Sequence, residues 1–314
     1  MTPMSHSNFS KGFSGGLTVR GLPVLNAYSG NVLWVHSAGS ANGAGTFQRP
    51  YATLEQAINA ADVGDTIMVK AGHAESIADA TTLVFDKAGI SIVGLGSGSR
   101  RPTFTFTTAT TANIPVSAAN VSIENILFVA NFADIVSFIT LTTAPEFLVN
   151  NCEFRDTSSI LNALTCVTTT VTVNADGLTF TNNRVQSLAT TAATTMIKVA
   201  GTMSRLTIND NYYVGAVLNN TAALLAHGAL NVTNLEMARN RVFRPNTDTA
   251  TGGILITTSA TANTGMVYDN YIACLDAAAV ILVTAGCDYG MFNNMVIGEV
   301  DTSGLLLPAV FNNA

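Results

Sequence analysis

The chain has 314 residues, of which 48% are hydrophobic and only 11% charged, and its net charge is −6. Beyond Arg100-Arg101 there is no run of Lys or Arg, so no nucleic-acid partner is expected. The longest apolar run, Ala277 to Val283 with its flanks, is too short to cross a bilayer, so no membrane partner is expected either.

Residues 1–47 read as an arm. Ser14-Gly-Gly16 and Gly43-Ala-Gly45 punctuate it, and Leu17-Thr-Val19 and Val32-Leu-Trp34-Val35 have the alternation of short strands. Phe9, Phe13 and Leu17 follow no helical period, as expected of an arm that orders on another protein and fills pockets there. Met1 to Gly16 is polar and lacks the apolar core of a secretory leader.

Residues 48–65 predict a short helix and a turn. Thr53 and Gln56 form a capping box, and Leu54, Ala57, Ile58 and Ala61 share one face. Val63-Gly64-Asp65 then turns the chain into a first strand. The helix is expected to plug the open end of the strand repeat that begins at residue 66.

From residue 66 to 314 one pattern recurs: apolar, any, apolar, any, a polar turn pair, any, apolar. Seven copies are centred on Asn125-Ile126, Asn151-Cys152, Asn182-Asn183, Asp210-Asn211, Arg239-Asn240, Asp269-Asn270 and Asn293-Asn294. The first turn positions are spaced by 26, 31, 28, 29, 30 and 24 residues. Alternation with period two, inside a repeat of this length that contains no helix, predicts an all-β solenoid: a parallel β-helix. Ile67-Met-Val69 and Ile90-Ser-Ile92 fit the same register, giving about nine coils. Asn183, Asn211, Asn240, Asn270 and Asn294 occupy the second turn position in five consecutive repeats, which predicts a ladder of amides. Asn also tolerates the left-handed backbone of a tight corner, so this position is expected to carry it. Where the ladder begins, Ile126 and Cys152 fill the slot with apolar stacking.

Pro50-Tyr51, Thr53-Leu54, Ala57-Ile58, Ala61, Gly64-Asp65 and Ile67-Met-Val69 resemble the opening motif of right-handed β-helix proteins of the pectin-lyase-like superfamily. The likeness implies a single-stranded right-handed parallel β-helix. Many members of that superfamily are carbohydrate-active enzymes, and others are structural proteins of tailed phages. Val32-Leu-Trp34-Val-His-Ser37 followed by Met68-Val-Lys70-Ala-Gly-His73-Ala-Glu75 is similar to virion β-helix proteins encoded among phage head genes.

Candidate chemistry is sparse. The four His and four Cys have no metal-ligand spacing, so neither metal nor cofactor is expected, and Cys152 reads as a buried free thiol. Asp210 and Asp269 share the first turn position two coils apart with Arg239 between them, a column read most simply as surface ion pairs. Arg241 and Arg244 project nearby. A hydrolase would need an acid and a base on one groove, and a lyase a calcium site plus a proton-abstracting base. Asn246-Thr-Asp248 matches part of a galacturonase motif, but Thr249 stands where Gly should follow. Tyr212, Tyr268, Tyr271 and Tyr289 read as scattered around the corner, and Tyr213 as inward.

These observations lead to a non-enzymatic virion protein on the capsid exterior, made in a host cytoplasm. A head-decoration or cement protein is expected, with the major capsid protein or another virion protein as partner. Low charge suggests flanks covered by identical copies, most simply in a homotrimer. The alternatives are a tail-spike polysaccharide depolymerase, hydrolase or lyase, and a receptor-binding spike that recognises without cutting.

Overall fold

The computed structural model describes strands Leu17–Val19 and Leu22–Val24. From residue 30 to 297 it describes all but 171–173, 190–193, 216–222, 229, 245–255, 259–261 and 275–287. Across these residues the chain winds as a parallel β-solenoid of three sheets with ten, nine and six strands, and it has very little helix. The first sheet runs from Val32–Ser40 to Asp288–Phe292, the second from Ala74–Ile77 to Met295–Ile297, and the third from Ile114–Val116 to Ile256–Thr258. Six turns carry a strand on all three sides, fewer than the nine coils expected. The repeat motif reports the corner between the first two sheets, whereas among the described residues the third side is strand in six turns.

Alternation explains the interior. In the first sheet Ile67, Ile92, Ile123, Val149, Phe180, Ile208, Met237 and Val267 pair in one column and are buried. In the second sheet the inward column is Phe104, Phe128, Phe154, Val185, Tyr213, Val242 and Ile272. Phe128 and Phe154 stack with centroids 4.9 Å apart. Each turn alone would leave this apolar side in water; stacking removes it, which is the main source of the fold's stability.

Val32–Ser40, which lies outside the repeat pattern, is the outermost strand of the first sheet, parallel to Thr66–Val69, and its Val35 is fully buried. Leu17–Val19 pairs antiparallel with Leu22–Val24 in a separate two-stranded sheet. Helix α1, Leu54–Ala60, has the capping box of Thr53 and Gln56, and it buries Leu54, Ala57 and Ile58 in the common core. Glu75 and Glu55 tie it to the turns, accepting the backbone N–H of Leu54 and of Val84, each at 2.9 Å.

Two corners of each turn use left-handed backbone. One column is Gly64, Gly89, Asn120, Glu146, Gly177, Arg205 and Asn234; the other is Asn125, Asn151, Asn182, Asp210, Arg239, Asp269 and Asn293. The second column corrects the expectation from sequence, because φ is positive at the first turn position and not at the ladder Asn beside it. The ladder residues point inward instead, and Asn183, Asn211, Asn240, Asn270 and Asn294 are at most 3% exposed. Each Oδ1 accepts the backbone N–H of the preceding turn's equivalent, from Cys152 N–H to Asn183 at 2.8 Å onward. Each Nδ2 donates to a carbonyl of the first sheet, as Asn240 does to Ile208 at 2.7 Å. Nδ2 of Asn211, Asn240 and Asn270 also donates to the next Asn Oδ1 at 2.9–3.0 Å. Ile126 and Cys152 occupy the slot in the two preceding turns and are buried.

Replacing Asn240 by Leu strands the N–H of Asn211 and the carbonyl of Ile208. The expected loss is on the order of 1–3 kcal/mol for each buried group left unpaired, measured by reversible denaturant unfolding; a change of a few tenths would show the ladder to be energetically idle.

Two buried titratable groups bend the pH dependence in opposite directions. Burial pushes the Asp156 carboxyl up to about 6, although it accepts the N–H groups of Ala163 and Leu188. A raised carboxyl pKa means that the folded chain holds its proton longer. That stability is complete below the unfolded value of 3.8 and is lost as pH rises to about 6. Burial lowers the pKa of His227, whose Nδ1 lies 2.8 Å from the Leu230 carbonyl. The unfolded chain therefore takes up a proton that the folded chain refuses, and stability falls as pH drops below the ordinary value of 6.5. In Asp156→Asn the falling limb between pH 4 and 6 should vanish and leave the His227 rise, read as unfolding midpoint against pH.

Candidate functional site

The corner that carries the amides inward carries charge outward. Along it, in successive turns, stand Asn182, Asp210, Arg239, Asp269 and Asn293. Arg239 grips Asp210 with two parallel hydrogen bonds, Nε to Oδ1 and Nη2 to Oδ2, both 2.8 Å. The hydrogen bonds that Arg239 donates to Asp210 raise its pKa further, so this guanidinium stays charged and is no proton acceptor. Asp269 lies one turn on and accepts an amide hydrogen from Asn293.

Two residues past the corner, on the outer face of the second sheet, Arg184, Tyr212, Arg241 and Tyr271 pair in register. The Arg184 guanidinium lies 5.6 Å from the Tyr212 ring centroid. Phe243, two residues further along, packs between Tyr212 and Tyr271 with centroid distances of 5.3 and 5.8 Å. Together they line an open groove of about 760 Å³ with Asp210, Asn211, Arg239, Arg241 and Asp269. The sequence pattern alone assigns these rings to core and corner packing. Tyr213 and Tyr289 are indeed buried, but Tyr212, Tyr271 and Phe243 form one half-exposed aromatic strip. The signal lay in the repeat itself, at the positions two and four residues after the first turn residue.

The other candidates lie apart from the groove. Phe9, Phe13 and Asn246–Asp248 are outside the described residues, as is the run Ala277 to Val283; Leu17 starts the separate two-stranded sheet. Arg244 pairs with Cys274 along the backbone. Cys152 and Cys166 are buried free thiols, and burial pushes Cys152 up to about 12. Among the described residues no three His, Cys, Asp or Glu side chains come together as metal ligands.

No protein-family model matches the chain, and no curated protein does. Solved structures do. Pectate lyase Pel9A shares 14% identity at a TM-score of 0.43, covering 88% of this chain and 82% of its own. A rhamnogalacturonan lyase shares 11% at 0.42, covering 84% and 87%. An alginate lyase from Paenibacillus sp. str. FPU-7 shares 11% at 0.40, covering 82% and 99%. At these identities and TM-scores the likeness transfers neither a family nor a reaction. The expectation of a non-enzyme is corrected at the groove: it rested in part on reading the aromatics as scattered, and Tyr212 and Tyr271 line one groove with Phe243 beside two carboxylates.

The Arg239–Asp210 pair is solvent-exposed, with side chains 46% and 38% accessible. Asp210→Asn is therefore expected to change unfolding stability by no more than about 1 kcal/mol, so any loss of function in that variant would not be a folding defect.

Proposed function

We propose that this chain acts on a polysaccharide, binding it across the groove and hydrolysing it there. The observation that carries the reading is the meeting, on one face, of two carboxylates two turns apart with a strip of three aromatic rings. Aromatic rings offer apolar faces to sugars, and carboxylates and guanidinium groups bond their hydroxyls. Two turns of solenoid separate Asp210 and Asp269 by roughly 9–10 Å along the axis. That is near the upper end of the spacing of about 6.5–9.5 Å that leaves room for a water in inverting hydrolysis.

In this reading Asp269 delivers the proton to the departing glycosidic oxygen. Asp210, hydrogen-bonded by Arg239 and retaining lone pairs beyond the two in use, orients the attacking water on the opposite side. Arg239 is not the base of an elimination, because its two hydrogen bonds to Asp210 hold it protonated.

Incubation with a panel of capsular, lipopolysaccharide and plant-wall glycans should release reducing ends without unsaturated products. Asp269→Asn should lower the rate by about 10²–10⁴-fold. Unsaturated ends would replace hydrolysis by elimination, and no product from any glycan, with no binding, would reject the reading.

A further inference from the structure

Among the described residues the last turn is open on its outer side. In the first sheet Asp288–Phe292 pairs with Thr264–Tyr268 alone, and in the second Met295–Ile297 pairs with Tyr271–Cys274 alone. Three columns stop there. The amide ladder ends at Asn294, which accepts the N–H of Asn270 at 3.1 Å while its own N–H has no acceptor among the described residues. The Phe292 ring lies on that of Tyr268, with centroids 4.8 Å apart and planes 3° apart, and Phe292 is 50% exposed. Met291, which follows Val267 in the inward column, is only partly buried. An edge with open backbone groups beside uncovered apolar side chains is a seat for one more strand.

We propose that this edge is filled by the chain's own segment Pro308–Asn313. The segment reads Pro308-Ala-Val-Phe-Asn-Asn313, against Tyr289-Gly-Met-Phe-Asn-Asn294 in the last turn. In that register each residue meets the need of its column. Val310 covers Met291, and Phe311 lays a third ring on Phe292. Asn312 takes the left-handed position of Asp269 and Asn293, and Asn313 brings the Oδ1 that the Asn294 N–H lacks. Pro308 falls in the position of Val121, Phe147, Leu178 and Leu206, whose N–H groups make no bond to a neighbouring turn, so its missing N–H is harmless there. Residues 298–307 reach up to about 33 Å when extended. The longest strand on the side they must pass, Thr165–Thr169, has five residues and a length of about 17 Å. This tether holds the segment at an effective concentration on the order of millimolar, which favours it over the same segment of a second copy. The seat also bears on the groove, because Asn293 on this last turn donates a hydrogen bond to Asp269.

The test is disulfide trapping in the full-length protein. Phe292→Cys with Phe311→Cys puts two thiols on in-register neighbours of a parallel pair, within the Cα separation of about 4.4–6.8 Å that a disulfide needs. Under mild oxidation this pair should close within one chain, and peptide masses after digestion separate its bond from any made by the native cysteines. Phe292→Cys with Val310→Cys, whose side chains face opposite sides of the sheet, should close at least about tenfold more slowly. Asn313→Leu should speed hydrogen exchange at the Asn294 amide about tenfold and leave the Asn211 amide unchanged. Equal closure of the two pairs, closure of neither, or unchanged exchange at Asn294 would overturn the proposal. A disulfide joining two chains would assign the edge to a second copy and overturn it as well.

Discussion

A buried amide at one corner is the constraint on which the outer surface depends. Asn183, Asn211, Asn240, Asn270 and Asn294 each accept a backbone N–H from one neighbouring turn and donate to a first-sheet carbonyl. The residue before each amide is thereby fixed at positive φ with its side chain outside. Slipping one strand by a single residue would break the ladder and also bury Arg241 while exposing Val242. The charged corner, one residue beyond the ends of first-sheet strands, thus inherits its spacing from an uncharged interior, the kind of support that a precise site requires.

The corner also bears a cost that Asn or Gly would reduce. Left-handed backbone is unfavourable by roughly 1–2 kcal/mol for most L-residues and less for Asn, Asp and Gly. Asn holds the position at 125, 151, 182 and 293, as that preference predicts. Arg239 does not fit it, at φ 56°. Arg205, at the opposite corner, is a second exception, and both arginines form ion pairs with carboxylates of other turns, Arg239 with Asp210 and Arg205 with Glu146.

Parts of this were legible in the sequence because they depend on local chemistry. The strands around each turn pair follow from alternation, and α1 follows from the Thr53–Gln56 capping box. The ladder column follows from the identity of one residue per repeat. Other parts depend on alignment between turns. Val32–Ser40 pairs with Thr66–Val69 across an intervening helix, and nothing near Val35 announces that partner. The third sheet hides because the residues linking it to the others vary in number. The left-handed position was misplaced because Asn fills both turn positions in Asn182-Asn183 and Asn293-Asn294 and the second position alone in the three repeats between them. The aromatic strip was missed because Tyr212 and Tyr271 are 59 residues apart in sequence and adjoin only through Arg241, once the strands are set in register.

The alternation of charge in the groove has its own physical origin. On a parallel solenoid the same position recurs about every 4.8 Å, so like charges in successive turns sit side by side and repel. A charged column can persist only if its sign alternates, as Asp210, Arg239 and Asp269 do, or if neutral residues intervene, as Tyr212 does between Arg184 and Arg241. Either solution sets the like charges of one column two turns apart, roughly 10 Å.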